Sequence, residues 1–163
     1  MRRPALQDKN QVKYLGFGFY MRKGKWRLRV HPKSVIKFKK KLYLVLDKGR
    51  GPGNVARSIK YCQLVRGWIN YFYIADMKSL MKELDEWVRR HVRADYWRQW
   101  KRVRTRYRRL GQLGVTGWRL HEMANCRKGT WRAALMLNSV LTNEWVVNEG
   151  WISLLGYYLK KCS

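Results

Sequence analysis

The apolar periodicity of the chain changes at Pro32, and that change constrains the fold more than any other feature. Before it, Val12 to Met21 is apolar and aromatic with two glycines, and Trp26 to Val30 alternates strictly. Lys23-Gly24-Lys25 between them has the make-up of a turn, so the pair is predicted as a β-hairpin. After it, Val35, Phe38, Leu42, Val45 and Leu46 fall at helical spacing while Lys33, Lys37, Lys40, Lys41 and Lys48 gather opposite. That is the pattern of an amphipathic helix with a basic outer face. Gly49-Arg50-Gly51-Pro52-Gly53 ends it.

Asn54 is placed to cap a second helix running to about Ala75, with Val55, Ile59, Cys62, Ile69 and Tyr73 as its apolar stripe. Asp76 is placed to cap a third, whose stripe is Leu80, Leu84, Trp87 and His91. Three such helices on short connections predict a bundle. At 100° per residue Arg66 points into the middle of the second stripe, where an unpaired charge would cost several kcal/mol. An ion pair with Asp85, or with Asp76, is the expected resolution, and a direct RNA contact is the alternative. Gly67 beside it costs a helix about 1 kcal/mol, either for close helix packing or as a tolerated glycine. Trp68 and Phe72 adjoin on another face and are expected to pack in the core.

Beyond Ala94 the character shifts. Tyr96, Trp100, Val103, Tyr107 and Leu110 share one narrow helical face, and Arg98, Lys101, Arg102, Arg104, Arg106, Arg108 and Arg109 cover the rest. Gly111 and Gly114 close this helix. After a short segment from Leu120 to Ala124, Thr130 is placed to cap a further helix carrying Trp131, Ala134, Leu135, Leu141 and Trp145 and ended by Gly150. Trp151 to Leu159 is expected to dock back. The fold class predicted is therefore mainly α: a hairpin over 1–31, a three-helix bundle over 32–94 and a basic helical extension over 95–163.

Charge narrows the function. The 163 residues hold 37 Lys and Arg against 10 Asp and Glu, a net +27, with 14% aromatic residues. Such an excess repels itself until a polyanion neutralises it, and aromatics mixed with cations suit a surface that holds phosphates and stacks bases. The chemistry of a self-contained enzyme is missing. Asp8, Asp47, Asp76, Asp85 and Asp95 are scattered, whereas a metal-dependent nuclease or polymerase clusters its carboxylates. Glu83, Asp85 and Glu86 sit on a helix rich in bases and read as ion-pairing partners. His31, His91 and His121 lack zinc spacing, Cys62, Cys126 and Cys162 form no close pair, and no nucleophile motif occurs. No cofactor or metal is expected. No run is long and apolar enough to span a membrane, and no signal-peptide pattern follows Met1, so an intracellular protein is expected, in a bacterial cytoplasm or nucleoid or in an organelle.

The order of particular runs adds a resemblance. LGFGFYM at Leu15 to Met21, KWRLRVHP at Lys25 to Pro32, LVRGWINYF at Leu64 to Phe72, LDEWVRRHVR at Leu84 to Arg93 and WRQWKRVRTRYRRLGQLGV at Trp97 to Val115 resemble the C-terminal part of group II intron-encoded reverse transcriptase/maturases. ANCRKGTWR at Ala124 to Arg132 and NEGWISLLGYY at Asn148 to Tyr158 are similar to that family's closing segment. The resemblance implies that the hairpin is the edge of a polymerase palm, the helical bundle the thumb or maturase X domain, and the extension a DNA-binding domain. It further implies intron RNA as partner, with target DNA or an RNA–DNA duplex in a full-length parent.

Two departures define what this chain lacks: the family's Tyr-x-Asp-Asp polymerase turn and the segments of its endonuclease do not occur. The chain is thus expected to bind rather than polymerise. The alternatives are a reverse transcriptase fragment active only with a separate fingers–palm polypeptide, or a decayed remnant. Met1 to Asn10 does not resemble what precedes the hairpin in full-length members, which implies a truncated reading frame or a cut fragment. The expected RNA contacts are Lys37, Lys40, Lys41, Arg57 and Lys60 on the bundle, Arg98, Lys101, Arg102, Arg104, Arg106, Arg108 and Arg109 on the extension, and Arg127, Lys128 and Arg132 as a third patch.

Overall fold

A computed structural model describes residues 13–46 and 53–163. Met1 to Asn10, Val12, Lys48 and most of the Gly49 to Gly53 break lie outside them. The described residues begin with an antiparallel sheet of β1 (Lys13–Tyr14), β2 (Phe17–Arg22) and β3 (Lys25–Val30), in that order. Both connections are two-residue turns with consecutive positive φ, at Leu15 and Gly16 (49° and 89°) and at Lys23 and Gly24 (51° and 74°). Such turns match the twist of paired strands, which fixes Phe17 opposite Val30 and Arg22 opposite Lys25. Gly16 is also confined by space: a Cβ there would lie 3.1 Å from the Phe72 ring and from Ser34 Oγ.

The helices follow as α1 (Pro32–Leu46), α2 (Asn54–Phe72), α3 (Lys78–Gln99), α4 (Val103–Gln112), α5 (Gly117–Ala124), α6 (Thr130–Met136), α7 (Asn143–Asn148) and α8 (Leu154–Cys162), with a 3₁₀ turn at Leu137–Ser139. The fold is mainly α, as the periodicity predicts. In α1, Phe38, Leu42 and Leu46 are buried and Val35 and Val45 pack beside them, the stripe read from the sequence. Trp68 stacks on Phe38 at 4.2 Å and meets Phe72 at 4.8 Å, so Phe72 is core and Trp68 packs against it.

The buried face of α2 is rotated by roughly a quarter turn from the expected one. Ser58, Tyr61, Val65, Ile69 and Phe72 are inside, while Val55, Ile59 and Tyr73 are exposed. This helix carries two apolar stripes, and the one covered by α8 and the segment before it is the one buried. The rotation turns Arg66 out to solvent. The expected Arg66–Asp85 pair therefore does not form: buried Asp85 accepts from Arg89 at 2.6 Å, Ser153 Oγ at 2.7 Å and the Leu154 N–H at 2.9 Å, capping α8. Asp76 does not cap α3 either. Its N–H donates to Leu28 O and its carboxylate accepts from Tyr20 Oη at 2.6 Å, tying the sheet to the bundle. Gly67 is exposed, and a Cβ added there would meet nothing within 4 Å, so it is the tolerated glycine and not a packing contact.

The α3 helix buries Met81, Leu84, Val88 and Val92 and runs without interruption through Ala94 and Asp95, where composition suggests a boundary. The basic helix expected beyond is broken at Trp100 to Arg102: Arg98 belongs to α3 and Arg104 to Arg109 to α4. The helix expected from Thr130 to Gly150 is likewise divided, into α6, the 3₁₀ turn and α7, the last capped by Thr142 Oγ1 accepting from the Trp145 N–H. The C-terminal piece does dock back. Tyr61 donates to Ile152 O, Tyr158 donates to Ala75 O, and Leu154 and Tyr158 join one core that extends from Val30 to Tyr158.

Candidate nucleic-acid interface

The cations divide into those that hold the fold and those left to solvent. Arg57, in the first turn of α2, donates to the last carbonyls of α1, Val45 O at 3.3 Å and Leu46 O at 2.8 Å, and is ion-paired with Asp95. Asp95 also meets Arg98 at 3.3 Å and Gln99 at 3.1 Å, making one nearly buried polar node that joins three helices. Arg106 donates to Trp100 O at 3.0 Å and Cys126 O at 3.2 Å, with its guanidinium 4.2 Å over the Trp97 ring. These three side chains, expected on the RNA surface, are spent on protein carbonyls, a carboxylate and a ring. That is a correction to the sequence reading.

Burial shapes two further groups. Arg93 is buried, donates to Leu141 O at 2.7 Å and Asn143 Oδ1 at 2.9 Å, and is pulled down to about 10 by desolvation and by neighbouring Arg89. Tyr96 donates to Glu149 at 2.9 Å and is pushed up to about 12 by burial, reinforced by that carboxylate. Neither offers a ligand contact.

What remains open is extensive. On α1, Lys37, Lys40 and Lys41 are exposed, and Lys60 is exposed on α2. Around the α3–α4 break Lys101 and Arg102 face solvent, and along α4 Arg104, Arg108 and Arg109 fall within roughly 140° of arc on the side away from buried Leu110. A turn of four residues with Gly114 at φ 83° then reverses the chain into α5, which packs on α4 as a helix–turn–helix pair. Arg127, Lys128 and Arg132 are exposed beyond it.

Sequence reasoning passes over several exposed groups. It assigns Arg66 to the interior, and it assigns no place to Trp118, at 80% exposure the most open large apolar residue of the described chain. Trp131 reads as a stripe residue and Tyr43 attracts no reading, yet both are substantially open. The signal available is their position off the buried faces, which only the correct helix rotation reveals.

Among the described residues no group of three or more His, Cys, Asp or Glu is placed to hold a metal ion, and no helix is long and apolar enough to cross a membrane. Cys62, Cys126 and Cys162 carry free thiols, and His121 Nδ1 is hydrogen-bonded to Tyr107 Oη. The arrangement offers exposed guanidinium and ammonium groups, most of them on helices, suited to phosphates.

A comparison with curated proteins finds no match to this chain. Residues 35–114 match the family model described as the group II intron, maturase-specific domain, a span that begins in α1 and ends in the turn after the arginine-rich α4. The chain thus carries the maturase-specific domain of group II intron proteins.

Proposed function

We propose that this chain acts by binding intron RNA and assisting its folding into the splicing-active form, with no bond-breaking step of its own. The observation that supports this most directly is that the matched maturase span contains Lys37, Lys40, Lys41, Lys60, Lys101, Arg102, Arg104, Arg108 and Arg109, all of them exposed. All but Lys101 and Arg102 stand on helices, whose regular spacing suits the phosphate rows of an A-form duplex read by shape and backbone. Arg127, Lys128 and Arg132 extend the contact beyond the matched span. In a parent carrying a polymerase the same surface would grip target DNA or an RNA–DNA duplex.

The test compares affinity for a folded group II intron RNA with that for an unrelated duplex of equal length at physiological ionic strength. A clear preference for the intron supports the reading; equal affinity overturns it. A second reading, in which the chain works with a separate fingers–palm polypeptide, draws on the sheet, where Tyr14, Leu15, Met21 and Trp26 are exposed. Primer extension by an added fingers–palm fragment, with and without this chain, distinguishes that case.

A further inference from the structure

One face of α3 and one face of α6 wall a groove that the cationic surface does not explain. Glu83, Glu86, Trp87 and Arg90 recur at helical spacing on α3, and Trp131, Leu135 and Asn138 do the same on α6 and the turn after it. The groove between them has a volume of about 560 Å³, within the range of small-ligand clefts. Two indoles, Trp87 and Trp131, line it. His91, outside the groove lining, touches both, at 4.3 Å from Trp87 and 4.8 Å from Trp131, and Tyr43 of α1 meets the same imidazole at 6.1 Å. Arg90 sits 4.2 Å over one face of Trp131 and holds it, leaving 39% of that residue open.

The charges in the groove select the occupant. A phosphate meets two carboxylates there, while the arginines that could hold it are bound within the protein. A free cation meets Arg89, Arg90 and Arg93 as well, three guanidinium groups against those two carboxylates. A neutral planar group that stacks on indole and donates hydrogen bonds to a carboxylate meets neither objection. The guanidinium groups are already engaged: Arg89 with Asp85, Arg93 with Leu141 O and Asn143, Arg90 with Trp131. Glu83 pairs with Lys39 at 3.1 Å, while Glu86 has no ion-pair partner among the described residues.

We infer that this groove takes an unpaired guanine of the bound RNA, its ring stacked against Trp131 and its N1–H and N2–H donated to the Glu86 carboxylate. Among the standard bases guanine alone presents two adjacent donors on its Watson–Crick edge, the match for the two oxygens of an acceptor-only carboxylate. The helical cations hold the backbone, and the groove adds a single-base reading. The inference rests on the RNA-binding proposal above.

The test measures the affinity of the full chain for a labelled seven-nucleotide oligouridine, for the same oligomer with one central guanosine, and for its inosine counterpart, which lacks the N2 amine. The guanosine oligomer is expected to bind about tenfold tighter than oligouridine, and inosine to lose most of that gain. Glu86→Gln should abolish the preference, and Glu122→Gln, an equal charge change on α5, should keep it. Trp131→Ala should lower the guanosine oligomer to the oligouridine level, with its melting temperature recorded to separate unfolding from lost stacking. Equal affinity for guanosine and uridine oligomers, or a preference that survives Glu86→Gln, overturns the inference. If the chain prefers intron RNA yet shows no guanosine preference, the groove assignment fails alone; if the intron preference is missing, the RNA-binding proposal fails.

Discussion

The Arg106 guanidinium lies 4.2 Å over the Trp97 ring and spans the bend between α3 and α4, donating across it to Trp100 O and beyond α5 to Cys126 O. A basic residue in an arginine-rich helix is here a structural tie. Replacing it with Ala removes a desolvated cation–π contact and leaves carbonyls without donors, together about 3 kcal/mol. For a chain of this size the expected loss in melting temperature is roughly 10 °C. Arg106→Lys should recover little of it, because an ammonium cannot reproduce the planar fork. A thermal melt of Arg106→Ala indistinguishable from wild type would show that the bend is held elsewhere.

The exposed arginines of the same helix should behave in the opposite way. Arg104, Arg108 and Arg109 face solvent on α4, so replacing all three with Ala should leave the melting temperature within a few degrees of wild type. The same variant should weaken binding to intron RNA and flatten the slope of log K against log[salt] by about two to three. Measuring affinity at several salt concentrations checks this. An unchanged slope would remove α4 from the interface.

The contrast between Arg106 and Arg108 shows where sequence reading stops. Helical periodicity separates an inner from an outer face, and it places Phe38 and Leu42 correctly because α1 has one apolar stripe. Along α2 two stripes compete, and Tyr61, Val65 and Phe72 prevail over Val55 and Ile59 because of what α8 and the segment before it present across from them. No count of α2's own residues contains that information. Arginine reading fails for a related reason. Whether Arg57 points to solvent or to Leu46 O and Asp95 depends on carbonyls and carboxylates brought near from other helices. The basic character of the surface is legible in the sequence, and which cations supply it is not.

Gly67 offers a test of the outer side of α2. It is exposed in mid-helix, and a Cβ there would meet nothing within 4 Å. Gly67→Ala should therefore stabilise the chain by about 0.5–1 kcal/mol through helix propensity. Urea unfolding should show a higher midpoint at an unchanged m-value. A lower midpoint would mean that this side of α2 packs against another helix.

Tyr96 connects the α3 helix to the segment after α7, and its ionisation sets an alkaline limit on that connection. Burial and the Glu149 carboxylate push its phenol from 10.0 up to about 12, so the folded chain holds the proton over a range in which the unfolded chain releases it. A pKa raised on folding contributes stability that is fully present below the unfolded value and lost as pH rises through the folded one. The contribution of Tyr96 should thus be intact below pH 10 and decline from there to about pH 12. Other buried phenols such as Tyr61 shift in the same direction, so total stability alone does not isolate Tyr96. The difference between wild type and Tyr96→Phe does. It should be constant between pH 7 and 9 and shrink above pH 10, because Phe has no proton to lose. Denaturant unfolding of both proteins at pH 8 and pH 11 reads this difference directly, and a gap that stays constant or widens at pH 11 would show that the Tyr96–Glu149 hydrogen bond does not hold the phenol proton.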